Sequence, residues 1–222
     1  MEQKLMPPYD LVMLDFDGTL VDSASSVVHC VQRTFAAQGE EPPSEAAIRA
    51  TIGLPLPDAL TQLRGKGGRE KGQTWARAYR EIFMTEGPPR LHLFEGAARF
   101  LAALADQEIP AIIVSARKAE ITNMLLDKFG LSETIMEVFG DSPQGPNKPD
   151  PRLYEELIRP RFGNPPPRKM IMVGDTHIDL EFAHNTGAAS CWVSYGYGDA
   201  QKCRGMQPDF EVSCPADLLN LF

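Results

Sequence analysis

A chain of 222 residues with 43% hydrophobic side chains is long enough to bury one substantial core and too short for several large domains. Its formal net charge of -8 argues against the clustered lysine and arginine surface on which affinity for a phosphate backbone rests, so nucleic acid is not an expected partner. Four cysteines (Cys30, Cys191, Cys203 and Cys214) without a CxxC pair read as free thiols, and no run approaches the length of a membrane span. The first ten residues, MEQKLMPPYD, place no apolar stretch behind their charges, so a cytoplasmic protein with no membrane partner is expected.

In chain order, residues 9 to 16 (YDLVMLDF) form a nearly continuous apolar run, the pattern of a strand whose two faces are both covered by helices. From Asp22 to about Glu86 the spacing turns helical in four stretches separated by Gly and Pro breakers. Within this block GKGGREKG, residues 65 to 72, reads as a mobile connector; it lacks phosphate-loop spacing and comes after no strand. Trp75 and Tyr79, four apart, are expected on the core face of the last of these helices.

Strand and helix then alternate. EGAARFLAALADQ is a predicted helix, IPAIIVSA a strand, KAEITNMLLDKFG a helix and IMEVFG a short strand. DPRLYEELIRP, KMIMVGD, HIDLEFAHNTG, ASCWVSY and PADLLNLF continue as helix, strand, helix, strand and closing helix. The repetition predicts an α/β fold, a Rossmann-like open, mostly parallel sheet with helices on both faces and ligands at the carboxyl ends of its strands. Residues 1–21 and 91–222 would form this core, and residues 22–90 an inserted α-helical cap over the strand ends, with hinges near residues 21–23 and 91–96.

Polar residues of different kinds stand at those ends: Asp15 and Asp17 after the first strand, Ser115 after the second, Lys148 in GPNKPDP, and Asp175 with Asp179 after MIMVG. Several carboxylates crowded together need a cation, and oxygen ligands select a hard one such as Mg2+, which also accepts a substrate phosphate. An Asp can attack phosphorus and carry the phosphoryl group, with metal and lysine offsetting the charge. A second Asp two positions on in an extended segment points the same way and can shuttle the proton. Gly18 lets the chain leave the strand sharply, and the Thr19 hydroxyl can bond a phosphoryl oxygen or a neighbouring carboxylate. Arg117 reaches a substrate anion or stands exposed in a first helical turn; His177 touches the edge of a metal site or faces solvent.

DFDGTLVDS, IIVSAR, Lys148 in NKPDP, and GDTHIDL resemble, in order and separation, the four motifs of the haloacid dehalogenase-like hydrolases. The tail PDFEVSCPADLLNLF is similar to that of phosphoglycolate phosphatase-like members. The resemblance implies that Asp15 is the nucleophile and Asp17 the general acid and base. Thr19 and Ser115 would contact the transferring phosphoryl group, which Lys148 would neutralise. Asp15, the backbone carbonyl of Asp17, and Asp175 would hold Mg2+, with Asp179 in support. Gly18, Ala116 and Arg117 would line the substrate site. Residues 48–60 (IRATIGLPLPDAL) resemble the loop that dips from such a cap towards the active site, which would bring Gly53 close to the core and make Arg49 a substrate-anion contact. The implied activity is hydrolysis of a small phosphorylated metabolite through an aspartyl-phosphate, by a monomer or homodimer. Inorganic pyrophosphatase and β-phosphoglucomutase-type transfer are the alternatives on the same scaffold, and a binding module that has lost activity is a further one. The mutases resemble one another in a cap histidine that aligns here with Val27, and commonly in Val or Ile at the position of Thr19; both departures favour hydrolysis.

Overall fold

The computed structural model describes residues 9–65, 68–142, 144–163 and 169–222, with the side chains of residues 68–70 left aside. Its first strand, β1 (Leu11–Leu14), is wholly buried. The chain then turns through Gly18, passes a two-residue strand β2 (Val21–Asp22) and enters four helices: α1 (Ala24–Ala37), α2 (Glu45–Arg49), α3 (Leu56–Arg64) and α4 (Gly68–Glu86). It returns through β3 (His92–Leu93), which pairs antiparallel with β2, Val21 opposite Leu93 and Asp22 opposite His92. The two passages of the chain between sheet and helices are thus bonded to each other.

Beyond this crossing the alternating order is α5 (Ala97–Asp106), β4 (Ala111–Val114), α6 (Ala119–Phe129) and β5 (Glu137–Phe139). A π-helical segment Leu153–Ile158 runs into α7 (Arg159–Phe162), and β6 (Met170–Gly174), α8 (His177–Thr186), β7 (Ala189–Val193), α9 (Ala200–Gly205) and β8 (Phe210–Val212) complete the order. The six long-sheet strands are ordered β5-β4-β1-β6-β7-β8, and every pairing is parallel. This is the expected open α/β sheet.

Strand periodicity accounts for the continuous apolar runs. Val12, Leu14, Ile113, Ile171 and Val173 pack on one face, into a core shared with Phe35, Trp75, Tyr79 and Phe83 of the four inserted helices. Leu11, Met13, Ile112, Met170 and Met172 pack on the other, with Tyr154, Ile158 and Phe182. Alternate residues therefore face opposite helical layers, and each fully buried aliphatic side chain contributes about 1.5–3 kcal/mol. Trp75 meets Phe35 edge to face at 4.8 Å, as the four-residue spacing of Trp75 and Tyr79 on a core face implied.

Several local expectations are corrected. The stretch 65–72 is already helical from Gly68, and Gly65 closes α3 in a left-handed conformation; residues 66 and 67 lie outside the described residues. Of the helix expected over residues 150–160, Leu153–Ile158 is π-helical and runs into α7, and the tail Pro215–Leu221 is a 3-10 helix. Strand β8 and helix α9 escaped the sequence pattern. No disulfide joins the four cysteines, and among the described residues no helix is long and apolar enough to cross a membrane.

Candidate active site

Parallel pairing of β4, β1 and β6 brings Ser115, Asp15 and Asp175 to three adjacent carboxyl ends. The Asp15 amide donates to Val173 O at 2.9 Å and the Ser115 amide to Phe139 O at 2.9 Å, so the ladder fixes both residues just past their strands. Lys148 arrives from the loop after β5, its ammonium donating to Asp15 Oδ1 at 2.8 Å and to Asp179 Oδ1 at 2.5 Å; the Lys148–Pro149 peptide is cis. Asp179 sits in the first turn of α8 and accepts on its other oxygen from the Thr176 amide (3.0 Å) and hydroxyl (2.7 Å). Thr176, the N-cap of that helix, is thereby tied to the residue three positions on.

One oxygen each from Asp15, Asp175 and Asp179 lies within 4.8 Å of the others. All three residues are buried. The Tyr197 amide donates to Asp175 Oδ2 at 2.7 Å, while Asp175 Oδ1 is buried without a hydrogen-bond partner. Burial is the main reason that Asp15 is pushed up to about 7, against the opposing pull of Lys148 and with a further push from Asp179. Burial, then Asp15 and Asp179, hold Asp175 well above the usual carboxylate range. Burial alone would lower Lys148, but Asp15 and Asp179 outweigh it and raise its pKa. Three carboxylates against one ammonium leave two negative charges if all are ionised, and one buried oxygen still lacks a partner. A hard divalent cation fits that oxygen set and that charge. Asp15, Asp175 and Asp179 are the side chains that would hold it.

The Asp17 carboxylate is outside this cluster. Arg117 grips it with a two-point fork, Nε to Oδ2 at 2.9 Å and Nη2 to Oδ1 at 2.7 Å. The guanidinium also lies 4.8 Å from the centre of the Phe83 ring in α4, so it joins the strand ends to the helical layer. Although burial opposes its charge, the Asp17 carboxylate more than compensates and raises the Arg117 pKa. The Arg117 amide donates in turn to Ser115 Oγ at 3.1 Å.

Gly18 has φ +83° and Asp175 against it: a Cβ there would fall 2.3 Å from Asp175 Oδ2. Only glycine lets the turn after β1 approach the acidic cluster this closely. Thr19 is fully buried and its Oγ1 has no partner, while its carbonyl accepts from the Tyr195 hydroxyl at 2.7 Å.

Above Asp15 and Asp17 opens a cavity of about 90 Å3 that also touches Ser115, Ala116, Arg117 and Gly53. Its helical wall is largely apolar, with Val27, Val31, Ile52, Leu54 and Leu56; besides Arg117, the cations Arg80 and Lys118 and the carboxylate Asp141 complete the charged lining. Gly53 adopts φ +97°, and a Cβ there would stand 2.9 Å from Thr176 Cγ2, so the loop 48–60 does descend onto the carboxyl ends.

Arg49 is not brought to this cavity. It lies exposed on α2, paired with Glu45 at 2.8 Å one helical turn earlier, and the arginine that lines the cavity is Arg80 of α4. His177 is half-buried at the start of α8; His29 bonds Glu86 at 2.6 Å, and His92 and His184 are exposed. Tyr197, Arg80 and Lys118 carry no motif that marks them in the sequence as site residues. For Tyr197 a weaker signal exists: the glycines on either side of it, just past a strand, mark a close backbone approach.

A buried carboxylate cluster at the carboxyl ends of a parallel sheet, beneath a layer of helices, is a site at which α/β hydrolases work. A sequence profile described as haloacid dehalogenase-like hydrolase matches residues 12–193, and the chain belongs to that family as one of its phosphatases. It is 25% identical over 218 residues to the phosphoglycolate phosphatase of Vibrio vulnificus strain YJ016, covering 95% of both chains. It is 26% identical over 204 residues to a 5'-nucleotidase of Pseudomonas aeruginosa, covering 90% of this chain and 89% of that one. A haloacid dehalogenase-like family hydrolase from Streptococcus pneumoniae shares the fold, with a TM-score of 0.84, 22% identity, and coverage of 97% of this chain and 99% of that one.

Proposed function

We propose that the protein is an Mg2+-dependent phosphomonoester hydrolase that acts on a small phosphorylated metabolite through an aspartyl-phosphate on Asp15. One observation carries the reading. Asp15 lines a cavity, accepts from Lys148 and shares a carboxylate cluster with Asp175, one oxygen of which has no partner, with Asp17 two residues away.

In this reading Asp15 attacks phosphorus, the bond to the leaving oxygen breaks, and Asp17 gives that oxygen its proton. Asp17 then takes a proton from water, which attacks the same phosphorus, releases phosphate and restores Asp15. Lys148 and the hydroxyls of Ser115 and Thr19 offset charge on the transferring group. Bound Mg2+ would supply charge neutralisation for the phosphoryl oxygens and keep Asp15 ionised. The Arg117 fork occupies both oxygens of Asp17, the atoms that must carry the transferred proton. A substrate anion therefore has to compete for Arg117 before Asp17 can serve as the acid.

Residues 1–21 and 91–222 serve as the core and residues 22–90 as a cap that covers the reacting groups; the bonded crossing of β2 and β3 supports a hinge there. Val27 lines the cavity with a side chain that cannot move a proton, which favours hydrolysis over a mutase cycle. The apolar wall, with Arg80 and Lys118 outnumbering Asp141 in the outer lining, suits a small ester whose leaving group carries both carbon surface and an acidic group, a description that phosphoglycolate meets only in its acidic part. Phosphate release from a panel of small esters, nucleoside monophosphates and pyrophosphate, with and without Mg2+, tests the reading. Mg2+-dependent release from an ester is expected, and no release from any member by folded, Mg2+-loaded protein would overturn it.

A further inference from the structure

The loop between β7 and α9 contains one residue whose two ends are bonded to different parts of the site. The Tyr197 amide holds Asp175 Oδ2 at 2.7 Å, while Asp175 Oδ1 is buried without a partner in the residue that joins Asp15 and Asp179 in the acidic cluster. The Tyr197 hydroxyl donates to Asp22 Oδ1 at 2.7 Å and accepts from the amides of Ser23 (2.8 Å) and Ala24 (3.0 Å). Asp22 ends β2, and Ser23 is the N-cap of α1 but makes no side-chain capping bond of its own. A phenol from a loop some 175 residues away thus takes the amides of the N-cap and the first residue of α1, the second of which Asp22 Oδ1 shares at 3.3 Å, where the chain passes from the sheet into the helices.

The loop has little room to adjust. A Cβ on Gly196 would fall 2.2 Å from Asp175 Cβ and 2.6 Å from Gly18 O, so the backbone beside Tyr197 lies directly against both the acidic cluster and the turn after β1. The neighbouring Tyr195 hydroxyl binds Thr19 O, and the Trp192 indole N–H binds Asp175 O at 2.9 Å. One residue thus bridges the two places, its hydroxyl at the start of α1 and its backbone amide on Asp175.

We propose that Tyr197 is a positioning residue that couples the orientation of the Asp175 carboxylate, and so divalent-cation binding, to the seating of helix α1 over the strand ends. The coupling rests on the reading of the acidic cluster as an Mg2+ site, and is independent of which ester, if any, is cleaved.

Tyr197→Phe removes the hydroxyl and keeps the amide that contacts Asp175. Calorimetric titration of Mg2+ into wild type and variant should show binding weaker by about tenfold in the variant, roughly the worth of one hydrogen bond to a charged group. Hydrogen exchange should show that Mg2+ slows exchange of the Ser23 and Ala24 amides in wild type and not in Tyr197→Phe. Mg2+ affinity within twofold of wild type, with a lowered melting temperature as the only change, would overturn the coupling and leave an ordinary helix cap. A wild type that binds no Mg2+ would overturn it as well. If Tyr197→Phe fails to fold, Asp22→Asn, which gives the hydroxyl a neutral acceptor and keeps an oxygen for the Ala24 amide, takes its place, with Mg2+ binding again expected to weaken and binding within twofold of wild type again overturning the coupling. Failure of the phosphatase reading shows separately, as Mg2+ binding and amide protection without phosphate release.

Discussion

Without metal, the protein should be less stable at pH 8 than at pH 5.5. Asp15 has its pKa pushed up to about 7, from an ordinary value of 3.8, chiefly by burial. Between these two values the folded state holds a proton that the unfolded state has lost, so stability falls as pH rises through the window and is gone once pH passes the folded pKa. For this one group the difference between pH 5.5 and pH 8 comes to about 2 kcal/mol, and Asp175, raised in the same direction, adds to it. Mg2+ should act in the opposite sense, stabilising the protein more at pH 8, where the carboxylates are ionised and ready to bind it. Urea unfolding in EDTA and in excess Mg2+ at both pH values measures each effect. Asp15→Asn, which cannot ionise, should lose the Asp15 share of the decline and so separate it from the histidines. Metal-free stability that is flat or rises from pH 5.5 to 8, or a decline unchanged in Asp15→Asn, would refute the description of a proton-holding acidic cluster.

The other expectations concern single side chains. Arg117→Lys keeps the charge, frees Asp17 from the two-point fork and loses the planar grip on the substrate anion, and should raise KM about tenfold with a smaller change in kcat, read from steady-state phosphate release. Gly18→Ala puts a methyl group into the space of Asp175 Oδ2 at a positive φ, and should cost about 1–3 kcal/mol in urea unfolding while weakening Mg2+ binding. Arg80→Gln should raise KM about tenfold or more for esters with an acidic leaving group and spare neutral ones, whereas Arg49→Ala, on the exposed face of α2, should leave kcat/KM within about twofold.

Local interactions are legible in the sequence and long-range ones are not. The apolar run ending in Asp15 and Asp17 reads as a buried parallel strand because both faces of β1 are covered, and parallel strands deliver the residues at their carboxyl ends to one edge of the sheet. Asp175, Asp179 and Ser115 were visible for the same reason. Strand β8 was not, because it is three residues long at the sheet edge with Glu211 exposed in its middle. Arg49 looked available from its place in the loop resemblance, yet Glu45 four residues before it already supplied a partner on an exposed helix face. Tyr197 and Arg80 depend on contacts between segments far apart in the chain. The spacing of neither residue tells which strand end or cavity wall it will meet.

Asp15 as the carrier of the phosphoryl group is the claim on which the proposed activity turns. The most direct measurement is acid quenching of the protein during turnover of its best ester, with peptide mass mapping of the quenched chain. One added phosphoryl group is expected on the peptide containing Asp15 in wild type, and none, with no phosphate released, in Asp15→Asn. Undiminished phosphate release from Asp15→Asn, with no phosphoryl group on that peptide in wild type, would contradict it.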